Sequence, residues 1–320
     1  MNTKLIKAES SWLIKFLWSV VLRHPILFRR TVGGWKEKPE GMEDPKPDYK
    51  IPKDLLEKAR AGELKVNNST EKYLRPVKGC ESTAPEIVAL AHELGAYKLS
   101  DWDYANKVFK WVKNHIKWHI GQGGAVDILK LGRGFCTQKT NLFIALCRAG
   151  ALKARCRVMP SIQLDSRMQG LDMTMAPAFG MNPIYAAINN TLIGWPISSL
   201  AEVQIDDKWI AAEPTFQDEW EAALDLPVLR FGEEPVESLA KAFGQVSNTE
   251  DPPRFGRTLL KFLSSMPGFL HEFDKLSDSY IKRGKEIIDE AGGSQAYNES
   301  MKRGYGGLGG ELEDIMKKIE

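Results

Sequence analysis

The sequence is short of the residues on which most metal and acid–base sites depend. Its 320 residues hold five histidines, His24, His92, His115, His119 and His271, and no pair has the H-E-x-x-H spacing of a zinc peptidase. Cysteines are fewer still: Cys80, Cys136, Cys147 and Cys156 include no C-x-x-C pair and no zinc-ligand pattern. No metal and no other cofactor is therefore expected. The four thiols read as reduced, which points to a cytoplasmic compartment. An excess of one charge is also missing. With 44 basic and 42 acidic residues the formal net charge is +2, so no electrostatic footprint for nucleic acid stands out. Apolar runs are short as well, far below the roughly 20 residues that a spanning helix needs.

What is present at the N-terminus is a dense apolar stretch, Ser11 to Arg30, "SWLIKFLWSVVLRHPILFRR". Lys15 and Arg23 interrupt it, and no small-residue cleavage site follows, which argues against a signal peptide. On a helix, Ser11, Lys15, Ser19 and Arg23 form one narrow polar stripe, with Trp12, Phe16, Trp18 and Val21 on the remaining surface. Two readings stand: a core helix docked on the body, or a peripheral anchor on a membrane or protein partner.

The organisation expected is residues 1–32 as this helix, 33–83 as an extended and short helical connection, 84–230 as the core, 231–291 as a helical region, and 292–320 as a Gly-rich tail with a short helix. Helices are expected at 53–61, 84–97, from Ser100-Asp101 to Ile116, at 127–131 and at 137–149. A strand follows at 154–159, and residues 200–205 and 209–212 pair as a hairpin about Asp206-Asp207. Helical periodicity returns at 239–243, 259–266 and 269–288, broken by Pro267-Gly268, and residues 292–310 read as flexible.

One stretch carries chemistry: "GFCTQKTNL", residues 134–142, places Cys136 just past a glycine turn at the start of an apolar helix. Unpaired N–H groups and the positive end of the helix dipole favour a thiolate there, and the same amides can hold an oxyanion. Cys147 and Cys156 lie inside elements, where cysteine acts as a small hydrophobe.

Residues Tyr104 to Phe216 resemble the transglutaminase-like core, a branch of the papain-like cysteine-nucleophile fold. The resemblance rests on "YANKVFKWVKNHIKW", "AVDILKLGRGFCTQKTNLFIALCRAGALKARCRVM" and "SSLAEVQIDDKWIAAEPTF". It implies an α+β fold in which the nucleophile helix packs on a small antiparallel sheet, with added N- and C-terminal helices. It also implies Cys136 as a nucleophile that attacks an amide, peptide or ester carbonyl and carries the acyl group as a thioester, for hydrolysis or acyl transfer.

The family's histidine position falls on Ser198 and its acidic position on Glu213 in "EPTF"; no histidine lies between His119 and His271. A serine hydroxyl is a poor base near neutral pH. Three readings remain open. The domain is a degenerate binding module; or a spatially adjacent histidine, His119 or His271, substitutes; or Cys136 reacts as a low-pKa thiolate while Ser198 and Glu213 orient substrate.

Lesser candidates complete the expected site. Gln122 in "GQGG" would supply an oxyanion donor, or is a loop residue. Trp118 would line an acyl groove, or belongs to the core. Met173, Met175 and Phe179, in a stretch that also holds Met168, Met181 and Tyr185, would line a substrate pocket, or form a lid with its own small core.

Overall fold

The structure, a computed structural model, describes residues 46–121, 123–159, 162–164, 198–233, 240–242, 247–250 and 264–305, with isolated positions between 18 and 42. Gln122, Met168, Met173, Met175, Phe179, Met181 and Tyr185 lie outside the described residues, as do most of 11–30 and 259–263 and all of 306–320.

Among the described residues from 46 onward, five helices and a parallel strand pair lead into the sheet. Helix α1 (Lys53–Ala61) stops at Gly62, whose φ of 73° closes the last turn as few other residues would. Helix α2 (Pro85–Glu93) starts on a proline and ends four residues earlier than its periodicity suggested, because Gly95 and Tyr97 take positive φ. Ser100 Oγ accepts the Asp103 N–H and opens α3 (Asp101–His115), which buries Tyr104, Val108, Phe109 and Val112. Strand β1 (Lys117–Trp118), helix α4 (Ala125–Leu131) and strand β2 (Arg133–Gly134) follow, and β1 and β2 pair in parallel with Trp118 opposite Gly134. Helix α5 (Cys136–Ala149) comes next, and every residue from Gln138 to Ala149 is buried.

The elements that follow include the sheet on which this helix packs. In order come β3 (Ala154–Met159), β4 (Ile162–Leu164), β5 (Ser198–Ile205), β6 (Lys208–Ala212), α6 (Asp218–Ala223), β7 (Ala240–Ala242), β8 (Ser247–Thr249), α7 (Pro267–Ala291) and α8 (Ser294–Tyr305). The main sheet has the order β6-β5-β3-β8, antiparallel throughout, and a second antiparallel pair joins β4 to β7. The β5–β6 turn is Asp206-Asp207, with φ of 47° and 61°, the conformation that matches the twist of a two-residue hairpin. The fold is thus the expected α+β arrangement. Leu142, Phe143, Leu146 and Cys147 of α5 meet Cys156 and Val158 of β3 and Ala201 and Val203 of β5 in one core.

Three expectations need correction. Residues 240–242, within a stretch of helical periodicity, form strand β7, because β4 supplies pairing partners that periodicity cannot anticipate. The break between the two helical segments falls at Ser265-Met266 and not at Pro267-Gly268; Pro267 occupies the first turn of α7, where its missing N–H costs nothing. Much of the Gly-rich segment 292–310 is ordered: α8 begins after Gly292 and Gly293, and tertiary bonds hold it in place. Tyr297 donates to the Leu226 carbonyl, while Asn298 both accepts from the Val228 N–H and donates to its carbonyl.

Trp18, Leu22 and Ile26 are 68%, 63% and 74% exposed, so at these positions the apolar stretch is not core. Among the described residues no helix is long and apolar enough to cross a membrane, and no group of His, Cys, Asp and Glu is arranged to hold a metal ion.

Candidate active site

Cys136 is the first helical residue of α5, and Phe135 is its N-cap. Gln138 folds back so that its Oε1 accepts the Phe135 N–H at 2.8 Å, which stiffens the turn. Cys136 is partly exposed, whereas Cys80, Cys147 and Cys156 are buried, and all four are free thiols. Thr140, one turn along α5, donates to the Ser199 carbonyl and ties the start of β5 to this helix. The sheet then delivers the acidic residue. Cys156, Ala201 and Ala212 form one row across β3, β5 and β6, and Glu213 is the next residue after that row. Pro214 behind it confines Glu213 to extended backbone.

Electrostatics at the sulfur differ from what a helix N-terminus alone suggests. Burial pushes the Cys136 thiol up to about 12. The Thr137 and Cys136 backbone N–H groups favour the thiolate, but the Glu213 charge opposes them, and burial outweighs both. Burial thus works against the low-pKa thiolate that a helix start favours. Cys156 is also close enough for Cys136 to bear on its thiol.

Glu213 is 7% exposed, and its Oε2 has no hydrogen-bond partner. Burial raises its carboxyl to about 7; the Glu221 charge adds to the rise and Lys113 works against it. Those two belong to a buried ionic cluster that composition does not betray. Lys113 on α3 donates to Glu221 Oε2 at 2.7 Å and to the Leu229 carbonyl, and lies 2.7 Å from Asp218 Oδ1. Burial works against the Lys113 ammonium, but Glu221 and Asp218 prevail and hold it charged. Lys139, one turn into α5, donates to the carbonyls of Lys113 and Ile116, and burial holds its amine well below the lysine range. The sequence signal for this cluster is spacing: Lys113 follows Phe109 by four residues and Lys139 precedes Leu142 by three, so both lie on apolar helix faces.

His119 is fully buried, and its ring nitrogens meet other groups. Nδ1 is 3.1 Å from the Ile120 carbonyl oxygen, and Nε2 is 3.3 Å from the Leu270 carbonyl oxygen and 3.4 Å from Asp274 Oδ1. Burial lowers its pKa to about 4 despite Asp274. His271 lies in α7 and is partly exposed; His92 meets the Lys65 carbonyl and His115 meets Asp48. Among the described residues Cys136 has no histidine partner. Ser198 begins β5 opposite Met159.

Trp118 takes its core reading. It is 8% exposed, stacks on Phe135 with centroids 5.3 Å apart, and packs on Phe216, Trp220 and Phe273. It thereby buttresses the residue before Cys136. A cavity of about 650 Å³ opens behind β2, lined by Ile120, Gly121, Asp127, Arg133 and Leu270 among others; neither Cys136 nor Glu213 lines it.

With a cysteine at the mouth of a buried helix, a three-stranded crossing and an acidic residue at the hairpin's end, the geometry can be set beside known proteins. The family model described as the transglutaminase-like superfamily matches residues 88–214. Residues 88–214 are a transglutaminase-like domain. This domain spans α2 to the end of the β5–β6 hairpin and contains Cys136, Ser198 and Glu213. A solved structure described as that of a "putative cysteine protease" from Cytophaga hutchinsonii is similar at 19% identity and a TM-score of 0.32. The alignment covers 64% of this chain and 56% of that protein, so the chain spans little more than half of its length. No curated protein matches the chain.

Proposed function

We propose that this chain is a transglutaminase-like thiol enzyme acting on amide, peptide or ester carbonyls, by hydrolysis or by acyl transfer to an amine. The observation that carries the reading is the placement of Cys136. It alone among the four cysteines is not buried, and it stands at the first turn of α5, where free backbone N–H groups face its sulfur. In this reading the sulfur attacks the carbonyl carbon, the amides at the helix start hold the oxyanion, and a thioester forms as the leaving group departs. The experiment is incubation with p-nitrophenyl acetate followed by mass analysis of the Cys136 peptide. An acetyl group on Cys136, absent in Cys136→Ala, supports the reading; equal nitrophenol release by parent and variant with no adduct overturns it.

A second reading is a catalytically degenerate binding module held to a membrane or a protein partner through residues 11–30. Two observations favour it: Ser198 stands where the resemblance places a histidine, and Trp18, Leu22 and Ile26 are exposed.

A further inference from the structure

Arg133 carries a charge that its surroundings compensate poorly. It sits in β2 opposite Lys117 of β1 and is 8% exposed. The guanidinium makes one hydrogen bond to a described residue, from Nη1 to Asp274 Oδ2, and it is long at 3.4 Å. Asp274 is shared as well: its Oδ1 accepts from Lys117 Nζ at 3.0 Å and lies 3.4 Å from His119 Nε2. Burial works against the guanidinium's charge, and Asp274 and Asp278 offset only part of that. A guanidinium cannot escape by giving up its proton, so this one would gain from a further anion.

The same residue lines the cavity of about 650 Å³ behind β2, a size that suits a small organic molecule. The walls are of two kinds. Met42, Ile120, Leu131, Pro267 and Leu270 are apolar, while Lys38 and Lys130 add two ammonium groups to the Arg133 fork. Asp127 is the one carboxylate among the described lining residues, and its Oδ2 already accepts the Gly124 N–H at 3.0 Å. Lys130 also meets Glu86 at 3.3 Å. The start of α7 belongs to the same wall. Pro267 is its first residue, and the N-cap Met266 offers no side-chain hydrogen bond to the first turn. The positive end of this 25-residue helix therefore adds to the field that an anion would meet.

We infer that this cavity is a binding site for a carboxylate carried on an apolar body. The carboxylate lies on the Arg133 guanidinium, and the body lies against Ile120, Leu131 and Leu270. Asp274 occupies Nη1 alone, so the fork keeps donors for two parallel N–H···O bonds, the geometry that a planar carboxylate matches. The apolar wall then rewards a ligand whose remainder is hydrocarbon and not a second charge. Two sources share this chemistry, a fatty acid and the C-terminus of an apolar peptide. Neither Cys136 nor Glu213 lines the cavity, so the site does not depend on the thiol-enzyme reading.

The test is isothermal titration calorimetry of the 320-residue chain with octanoate, N-acetyl-leucyl-leucine, octanol and acetate. Octanoate or the peptide should bind with a Kd below about 1 mM. Octanol, which lacks the charge, and acetate, which lacks the apolar body, should each bind about tenfold more weakly or worse. The tighter of octanoate and the peptide names the source, and either result upholds the site. Arg133→Lys keeps a positive charge but loses the fork, and should weaken the carboxylate about tenfold while leaving octanol unchanged. Leu270→Trp, which fills the cavity from a partly buried position, should abolish binding without altering any charge. Octanol binding as tightly as octanoate overturns the inference, as does a parent that binds neither carboxylate, and neither result needs a variant to fold. Octanoate binding unchanged in Arg133→Lys or in Leu270→Trp overturns it too.

Discussion

His119 Nε2 lies 3.4 Å from Asp274 Oδ1, so this histidine is joined to α7. Its burial and that of Glu213 make two opposed pH dependences. Unfolded chain protonates His119 near 6.5 and folded chain only near 4, so its stabilising contribution is complete above about 6.5 and is lost as pH falls toward 4. Glu213 keeps its proton to about 7 when folded but to 4.5 when unfolded, so its contribution is complete below about 4.5 and is lost as pH rises to 7. Each gap is worth about 3 kcal/mol. Glu221, also buried and raised to about 7, adds a second decline of the same sign. Between pH 4.5 and 6.5 the parent should therefore lose stability as pH rises; Glu213→Gln should flatten that decline, and His119→Gln should steepen it. Urea midpoints at four pH values check this; variants with the parent's slope would refute it.

Gly284 in α7 crosses the start of α6 so closely that a Cβ there would overlap the Glu219 carbonyl. Helix propensity alone says that Gly284→Ala stabilises a mid-helix position by about 1 kcal/mol. Backbone overlap says the reverse, with a cost of about 1–3 kcal/mol as α7 is pushed away. We expect destabilisation in urea denaturation, and loss of the tryptophan environment around Trp220, which stacks on Tyr280 of α7 at 4.7 Å. A variant more stable than the parent would show that the helices can separate freely.

The exposed Trp18, Leu22 and Ile26 bear on the anchor proposal. The 320-residue chain should co-sediment with vesicles containing anionic lipid, and replacing these three residues by serine should cut the bound fraction at least tenfold, as expected for burial of about three large apolar side chains. Equal binding by both proteins would remove the membrane from consideration.

Much of the fold was legible in the residues. Ser100 marks the start of α3, Gly132 and Gly150 mark the ends of α4 and α5, and the alternation in "LAEVQI" marks β5 before its Asp-Asp turn. These are local signals, set by backbone conformation and by period-two or period-3.6 burial. Strand β7 and helix α8 were not legible, because each depends on a partner far away in sequence: β4 for one, and Leu226 and Val228 for the other. For the site, the position of Cys136 follows from a glycine turn and a helix start, both local.

What the sequence determined by itself is therefore the place of Cys136, the acidic residue at the end of the hairpin and the absence of a histidine at Ser198. Only the tertiary structure decided their electrical state. A helix N-terminus favours a thiolate, but how far burial overrides it depends on what packs around the sulfur. Likewise Glu213 is an ordinary glutamate until the sheet carries it inside, beside Glu221 and Lys113. Desolvation is a property of the assembled interior, and no stretch of chain holds it alone.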